Sequence, residues 1–246
     1  TYQRVLDAGA YDFTANSEQK LLPRPLSSMI GQTDQRVDMF MEGEVTLPDY
    51  SRFSVSLDGA GLDPAPVAMI QEGGQSYLLH EGEKTLVDSP TGLASPTGDF
   101  AGYLAAAENV AVCEADSAPF ANVAACYTFD VNGPRFAEHV RGLMQTQVNH
   151  TTDFAPPGVP PKVSPSPVLT NMSGQGKVWL DENGLPLRQT IDMHLPELND
   201  YYDADVRMIV NYHFEADAIA AVLAAQAAKA SILPLPSVEA VAESAQ

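Results

Sequence analysis

"GKVWLDENGLPLRQTIDMHLPE", residues 176–197, holds the only tryptophan of the chain and its longest clean alternation of apolar residues, interrupted by Asn183-Gly184. Period-two alternation on both sides of an Asn-Gly pair is the pattern of a β-hairpin with one buried face. Two registers fit it. A two-residue type I′ turn pairs Leu180 with Leu187 and Trp179 with Arg188, so that Val178, Leu180, Leu185, Leu187, Ile191, Met193 and Leu195 face inward and Trp179 stacks on Arg188 outside. A type I turn from Asp181 to Gly184 with a bulge instead turns Trp179 inward against Leu187. The first strands fewer apolar residues and is the expected one. On that register Trp179→Ala costs little stability, whereas a loss above about 3 kcal/mol marks a buried ring.

The same alternation recurs on either side of this hairpin. "AYDFTANSEQKLL" (10–22) places Tyr11, Phe13 and Ala15 on one face. "RVDMFMEGEVTLP" (36–48) alternates Val37, Met39, Met41, Val45 and Leu47 against polar residues, with Phe40 on the polar side, and "SRFSVSLDG" (51–59) repeats it through Phe53, Val55 and Leu57. Pro48 and Asp49 supply the turn between these two. "PVAMIQEGGQSYLLHEGEKTLVD" (66–88) reads as consecutive hairpins joined at Gly73-Gly74 and near Gly82, connections too short for the helical crossover that parallel strands need. Later, "YDADVRMIVNYHFEAD" (202–217) alternates Val206, Met208, Val210, Tyr212 and Phe214 with polar residues.

Helical spacing appears in three places. "SPTGDFAGYLAAAENV" (95–110) sets Phe100, Tyr103, Leu104 and Ala107 on one stripe; "NGPRFAEHVRGLMQTQV" (132–148), following the strand "CYTFDV", does so with Phe136, Val140, Leu143 and Met144 after a proline suited to a first helical position. An alanine-rich helix spans about 217–230. Six prolines in residues 151–170 predict an extended surface flap with no strand or helix, and residues 231–246 read as a tail after a single domain of residues 1–230.

Thirteen basic against thirty-two acidic residues give a formal charge of -19, which repels phosphate backbones and argues against nucleic acid as a partner. No run approaches 18 apolar residues, the length of a membrane-crossing helix. Cys113 and Cys126, with no CxxC spacing and no histidine between them, predict a disulfide, worth about 3 kcal/mol in the chain-entropy account, and with it an extracytoplasmic compartment. A chain that starts at Thr1 without a leader is expected of a processed or trimmed N-terminus. Two sequons, at Asn149 and Asn171, flank the proline-rich flap.

Motifs for chemistry are sparse. The five histidines show no metal-ligand spacing and read as ordinary polar side chains; His194 and His213, both outward on neighbouring strands, are the one pair placed where they could meet. Asp200, Asp203 and Asp205 offer at most a weak cation site, no nucleophile elbow or phosphate loop occurs, and no metal, cofactor or catalytic residue is predicted.

Strands with one apolar face beside two or three amphipathic helices imply an α+β fold in which a curved antiparallel half-barrel wraps around the helices. Where the helices leave the curve unfilled, an apolar cavity remains. From the inward alternation and the helix stripes its lining is expected to comprise Met39, Met41, Phe53, Val55, Met69, Phe136, Val140, Met144, Leu187, Ile191, Met193, Met208 and Val210. The early meander "VSLDGAGL...VAMIQEGGQSYLL", the strand and helix start "DVNGPRFAEHVRGLM", and "GQGKVWLDENGLPLRQTIDMHLP" together resemble the LolA/LppX/LprG-like group of bacterial envelope proteins over most of residues 5–215. The sequence departs from the lipoprotein members in carrying no N-terminal cysteine for acylation. The resemblance implies a non-enzymatic protein of the periplasm, cell surface or secreted space. Its partner would be a lipid or hydrophobic small molecule, or an envelope protein, with peripheral membrane association as an option. The competing expectation is a structural subunit of a cell-surface assembly, built on the same fold with a filled core.

Overall fold

The computed structural model describes residues 1–48, 50–58, 66–72, 75–87, 98–113, 122–151 and 162–232. The expected turn at Asp49, the Gly73-Gly74 connection, half of the proline-rich flap (152–161) and nearly all of the tail lie outside them.

Helix α1 (Tyr2–Ala8) leads into β1 (Ala10–Pro23), and β2 (Gln35–Thr46), β3 (Tyr50–Asp58), β4 (Val67–Glu72), β5 (Gln75–His80) and β6 (Glu83–Val87) follow in sequence. A 3-10 helix (Gly102–Ala106) precedes β7 (Ala107–Val112) and β8 (Ala125–Asn132), then helices α2 (Gly133–Thr151) and α3 (Pro167–Asn171). Three strands, β9 (Ser173–Leu180), β10 (Pro186–Leu195) and β11 (Tyr202–His213), and helix α4 (Ala216–Ile232) complete the order. The strands form one antiparallel sheet, β6-β5-β4-β3-β2-β1-β11-β10-β9-β8-β7. Each half is a meander in which strands consecutive in sequence are neighbours in the sheet, even across helices α2 and α3 between β8 and β9. The two meanders meet where β1 pairs with β11 from Asp12↔His213 to Pro23↔Tyr202. The sheet is open, with β6 and β7 as its edges.

Alternation fixes which face is inside. Tyr11, Phe13, Ala15, Met39, Met41, Val45, Phe53, Val55, Ile191, Met193, Val206, Met208, Val210 and Tyr212 share one buried cluster with Phe100, Tyr103, Phe136 and Val140. On the other face Glu18, Lys20, Asp38, Asp192 and Arg207 stay in water or in ion pairs, each worth little. Helix α2 starts where the sequence places it: Asn132 accepts from the Arg135 N–H at 2.9 Å, a side-chain cap. No helix among the described residues is long and apolar enough to cross a membrane.

Three local expectations are corrected. Residues 100–107 do not make an α-helix; they form the 3-10 helix and the start of β7. Their apolar residues are instead spent on tertiary contacts, with the Tyr103 ring stacked on Phe136 at 4.3 Å and Phe13 against Phe100 at 4.2 Å. Within the proline-rich stretch, residues 167–171 form helix α3, because Pro167 stands at the first helical position and Ser166 caps it by accepting from the Leu169 N–H. His194 and His213 do not meet: the register sets His194 opposite Asp205, to which it bonds at 2.8 Å, and His213 opposite Asp12.

The hairpin adopts the bulged register. The Asp181 carbonyl accepts from the Gly184 N–H at 3.0 Å, the Asp181 carboxylate from the Leu185 N–H at 2.8 Å, and Gly184 takes φ +72°. The aspartate side chain, by holding Leu185, selects this turn over the two-residue one. Leu180 consequently pairs with Pro186, not Leu187; Trp179 does oppose Arg188, and the register shifts between Pro186 and Arg188. Trp179 is buried rather than exposed. Its ring is 7% exposed and lies under the Lys177 ammonium at 4.7 Å, while Arg188 directs Nε to Asn211 Oδ1 at 2.6 Å. The indole Nε1 is buried without a partner. Trp179→Ala is therefore expected to cost about 2 kcal/mol in urea denaturation, below the usual core-aromatic loss because an unpaired buried N–H disappears with the ring.

The Cys113–Cys126 disulfide is present, with Cα atoms 5.2 Å apart. It fastens the end of edge strand β7 to β8, where Cys113 N–H also bonds the Cys126 carbonyl at 3.0 Å.

Candidate functional site

Of the thirteen side chains expected to line a cavity, the structure brings twelve together. Met39, Met41, Phe53, Val55, Met69, Ile191, Met193, Met208 and Val210 project from the inner face of the sheet and Phe136 and Val140 from α2, all buried; Met144 packs against them half-buried. Leu187 stands apart, half-buried at the hairpin bulge, where the extra residue breaks the alternation that predicted it inward. Met41, Ile191, Met208 and Val210 are fully enclosed by their neighbours.

Open space on the inner face lies to one side of this cluster. A cavity of about 610 Å³ is bounded by Tyr127 and Phe129 of β8, Val178 and Leu180 of β9, Leu104 and Val110 beside β7, Tyr2 and Arg4 of α1, and the turn residues Asp181, Glu182 and Gly184. Phe129, Val178 and Leu180 make its floor apolar, and Tyr2, Arg4, Asp181 and Glu182 make its rim polar. A larger groove of about 810 Å³ crosses the opposite face, but Glu18, Lys20, Asp130, Asp192, His194, Asp205 and Arg207 make it a solvated charged surface. The floor exists because Gly176 of β9 lets the Phe129 ring lie flat across the strand: a Cβ there would stand 2.2 Å from Phe129 Cζ.

Helix α1 forms the roof, and a buried polar cluster holds it. Asp99, 4% exposed, accepts from the Tyr2 hydroxyl at 2.8 Å, the Tyr11 hydroxyl at 2.7 Å and the Ala101 N–H at 3.0 Å. Tyr11 in turn accepts from the Phe100 N–H at 2.9 Å, and Tyr212 donates to the Phe100 carbonyl at 3.1 Å. His139 of α2 stands edge-on to the Tyr2 ring, its Nε2 3.4 Å from the hydroxyl. On the far side of α1, Arg4 donates to the Asn183 carbonyl of the hairpin turn. Two side chains two residues apart thus tie one short helix to the buried Asp99 cluster on one side and to the hairpin turn that borders the cavity on the other.

Burial pushes the Asp99 carboxyl up, partly offset by the bonds from Tyr11, Tyr2 and the Ala101 N–H and by His139. Burial pushes His139 down, against the pull of Asp99. Burial raises the hydroxyls of Tyr2, Tyr11 and Tyr212, with the Asp99 charge adding to it. The signs give opposite pH effects. Native His139 binds fewer protons than the unfolded residue below about pH 6.5, so stability rises with pH up to that value. Native Asp99 binds more protons than the unfolded residue above about pH 3.9, so its contribution falls as pH rises through its window. His139→Gln is expected to flatten the rise in urea midpoint between about pH 5 and pH 7, while leaving the lower window in place.

Helix α1 and Asp99 are the site residues that the sequence reading missed. In "YQRVLDAG" Val5 and Ala8 share a helical face ahead of Gly9, which takes φ +74° as the C-cap, so periodicity and a terminal glycine mark the helix. Nothing local marks Asp99, whose tyrosine partners lie 88 and 97 residues away. Among the described residues no group of three acidic, histidine or cysteine side chains could hold a metal ion. Asp203 accepts from the Glu197 N–H and faces Arg24, whereas Asp205 faces His194, so the acidic run does not converge.

No family model and no curated protein matches the chain. Solved structures do resemble it. The crystal structure of lipoprotein LppX of Mycobacterium tuberculosis is similar at 11% identity and a TM-score of 0.38, over 86% of this chain and 91% of that one. LprF of Mycobacterium bovis is similar at 8% identity and a TM-score of 0.35, over 85% and 87%. An outer membrane lipoprotein-sorting protein domain of Vibrio parahaemolyticus is similar at 10% identity and a TM-score of 0.28, over 87% and 90%.

Proposed function

We propose that this chain is a non-enzymatic protein of the cell envelope that holds a lipid or other hydrophobic ligand against the inner face of its half-barrel. One observation carries the reading: a cavity of about 610 Å³ with an apolar floor lies open on the face that would otherwise be core. A disulfide supports an extracytoplasmic compartment. Residues 1–230 act as one domain, with the flap 151–170 and the tail 231–246 as appendages. The ligand enters beside α1 and extends toward Met39, Met193 and Met208, unbranched side chains that repack at low cost. The full enclosure of Met41, Ile191 and Met208 favours a second reading, in which the core is filled and the protein serves an assembly through its surface.

Native mass spectrometry before and after organic extraction separates the two. Binding predicts a mass released by extraction and restored on adding lipid. Val178→Trp, which fills the floor from a buried position, is expected to weaken rebinding by about tenfold or more and to cost about 1–3 kcal/mol in urea unfolding, leaving the protein folded at the temperature of the binding measurement. Protein that carries no extractable mass and takes up no lipid would leave the assembly reading.

A further inference from the structure

Resting on the hydrophobic-ligand reading, we infer that the inner face carries a subsite for the carbonyl oxygen of an uncharged acyl ester, formed by Ser17 and Gln19 of β1. Several buried polar side chains of the inner face are paired: Ser51 donates to Gln71 at 3.5 Å and Gln71 to Ser76 at 3.3 Å, and Asp99 accepts from two tyrosines. Ser17 and Gln19 break that pattern. They are 2% and 9% exposed, follow Tyr11, Phe13 and Ala15 on the same inward face, and leave Ser17 Oγ and Gln19 Nε2 without a partner. Gln189, two strands away on β10, adds a third unpaired buried polar atom on this face, its Nε2.

Their neighbours cannot satisfy them. Ser17 stands between Met39 and Met208, and Gln19 between Val37 and Val206, in the sheet register. Residues i and i+2 of a strand point to one side about 7 Å apart, so the two groups address one ligand region. Both supply hydrogens, which calls for an acceptor. The surroundings specify an acceptor without charge: the basic side chains of these strands, Lys20, Arg36 and Arg207, are on the outer face, facing Asp34, Asp38 and Asp192. A carboxylate placed inside would be desolvated with no counter-charge, whereas an ester carbonyl accepts both bonds and leaves its alkyl chain on the methionines.

The test is competition for diphenylhexatriene bound to solvent-extracted protein, using methyl palmitate, palmitate and heptadecane as competitors. The wild type is expected to favour methyl palmitate over the other two by about tenfold, and Ser17→Ala with Gln19→Leu to bring the ester and the alkane level without changing the alkane value. The lipid-free double variant should melt at or above the wild-type temperature, since unpaired donors add nothing to the fold. Equal binding of ester and alkane by the wild type, or a lower melting temperature in the variant, overturns the subsite and leaves hydrophobe binding intact. If none of the competitors and no probe binds, the hydrophobic-ligand reading fails and takes the subsite with it.

Discussion

Asp99→Ala is expected to destabilise the protein by about 4 kcal/mol, measured as the shift in urea unfolding free energy at neutral pH. The carboxylate is the common acceptor for Tyr2, Tyr11 and the Ala101 N–H, and it is buried. Alanine leaves the Tyr11 hydroxyl and a backbone N–H enclosed with fewer acceptors, and hydrogen bonds to charged groups are worth about 1.5–3 kcal/mol each. Asp99→Asn keeps one acceptor oxygen and the volume, so it should cost about half as much, and it should abolish the decline in stability as pH rises above the ordinary carboxyl range. The damage should also be local. Tyr2 is the inner tether of α1, so Asp99→Ala should expose α1 to limited proteolysis before global unfolding, with Arg4 at the hairpin turn left as the outer tether. An Asp99→Ala protein as stable as the wild type would show that the cluster is incidental to the roof of the cavity.

The strands were legible because each buries one face, and a period of two leaves its trace in the sequence whatever the strand pairs with. Met39, Met41, Met208 and Val210 were placed inward from alternation alone, and they are. Two kinds of feature escaped. Where one aspartate side chain decides between two turns, as Asp181 does, the alternation around it fits either register: Trp179 opposes Arg188 as expected but is buried, and Leu187 drops out of the buried cluster at the bulge. Where an apolar residue is spent on a distant ring, as Tyr103 is on Phe136, helical spacing arises without an α-helix. The candidate cavity was the least legible part. Its floor is made by residues that the alternation identifies, Val178 and Leu180, but its openness depends on where α1 docks, and that is set by Tyr2, Asp99 and Arg4 across the whole chain.

Gly176→Val ties the floor of the cavity to the stability of the sheet. Gly176 lies between Phe129 and Ile191 in the register, and a Cβ would come 2.2, 2.5 and 2.8 Å from three ring carbons of Phe129, too close to any of them to stand. The backbone at Gly176 needs no special conformation, so the glycine is there for the ring and not for a turn. Valine must push the ring off β9, and the space within reach is the cavity that Phe129 itself borders. The expected cost is about 3 kcal/mol, at the upper end of overpacking losses, with ligand uptake lost in parallel because the ring now occupies the floor. Phe129→Ala removes the obstacle. It should cost about 3 kcal/mol alone, yet the double variant should lose clearly less than the sum, giving a coupling of about 1–3 kcal/mol in a double-mutant cycle read by urea unfolding. Additive losses would mean that the ring and the glycine are not in contact, and the floor as described would not exist.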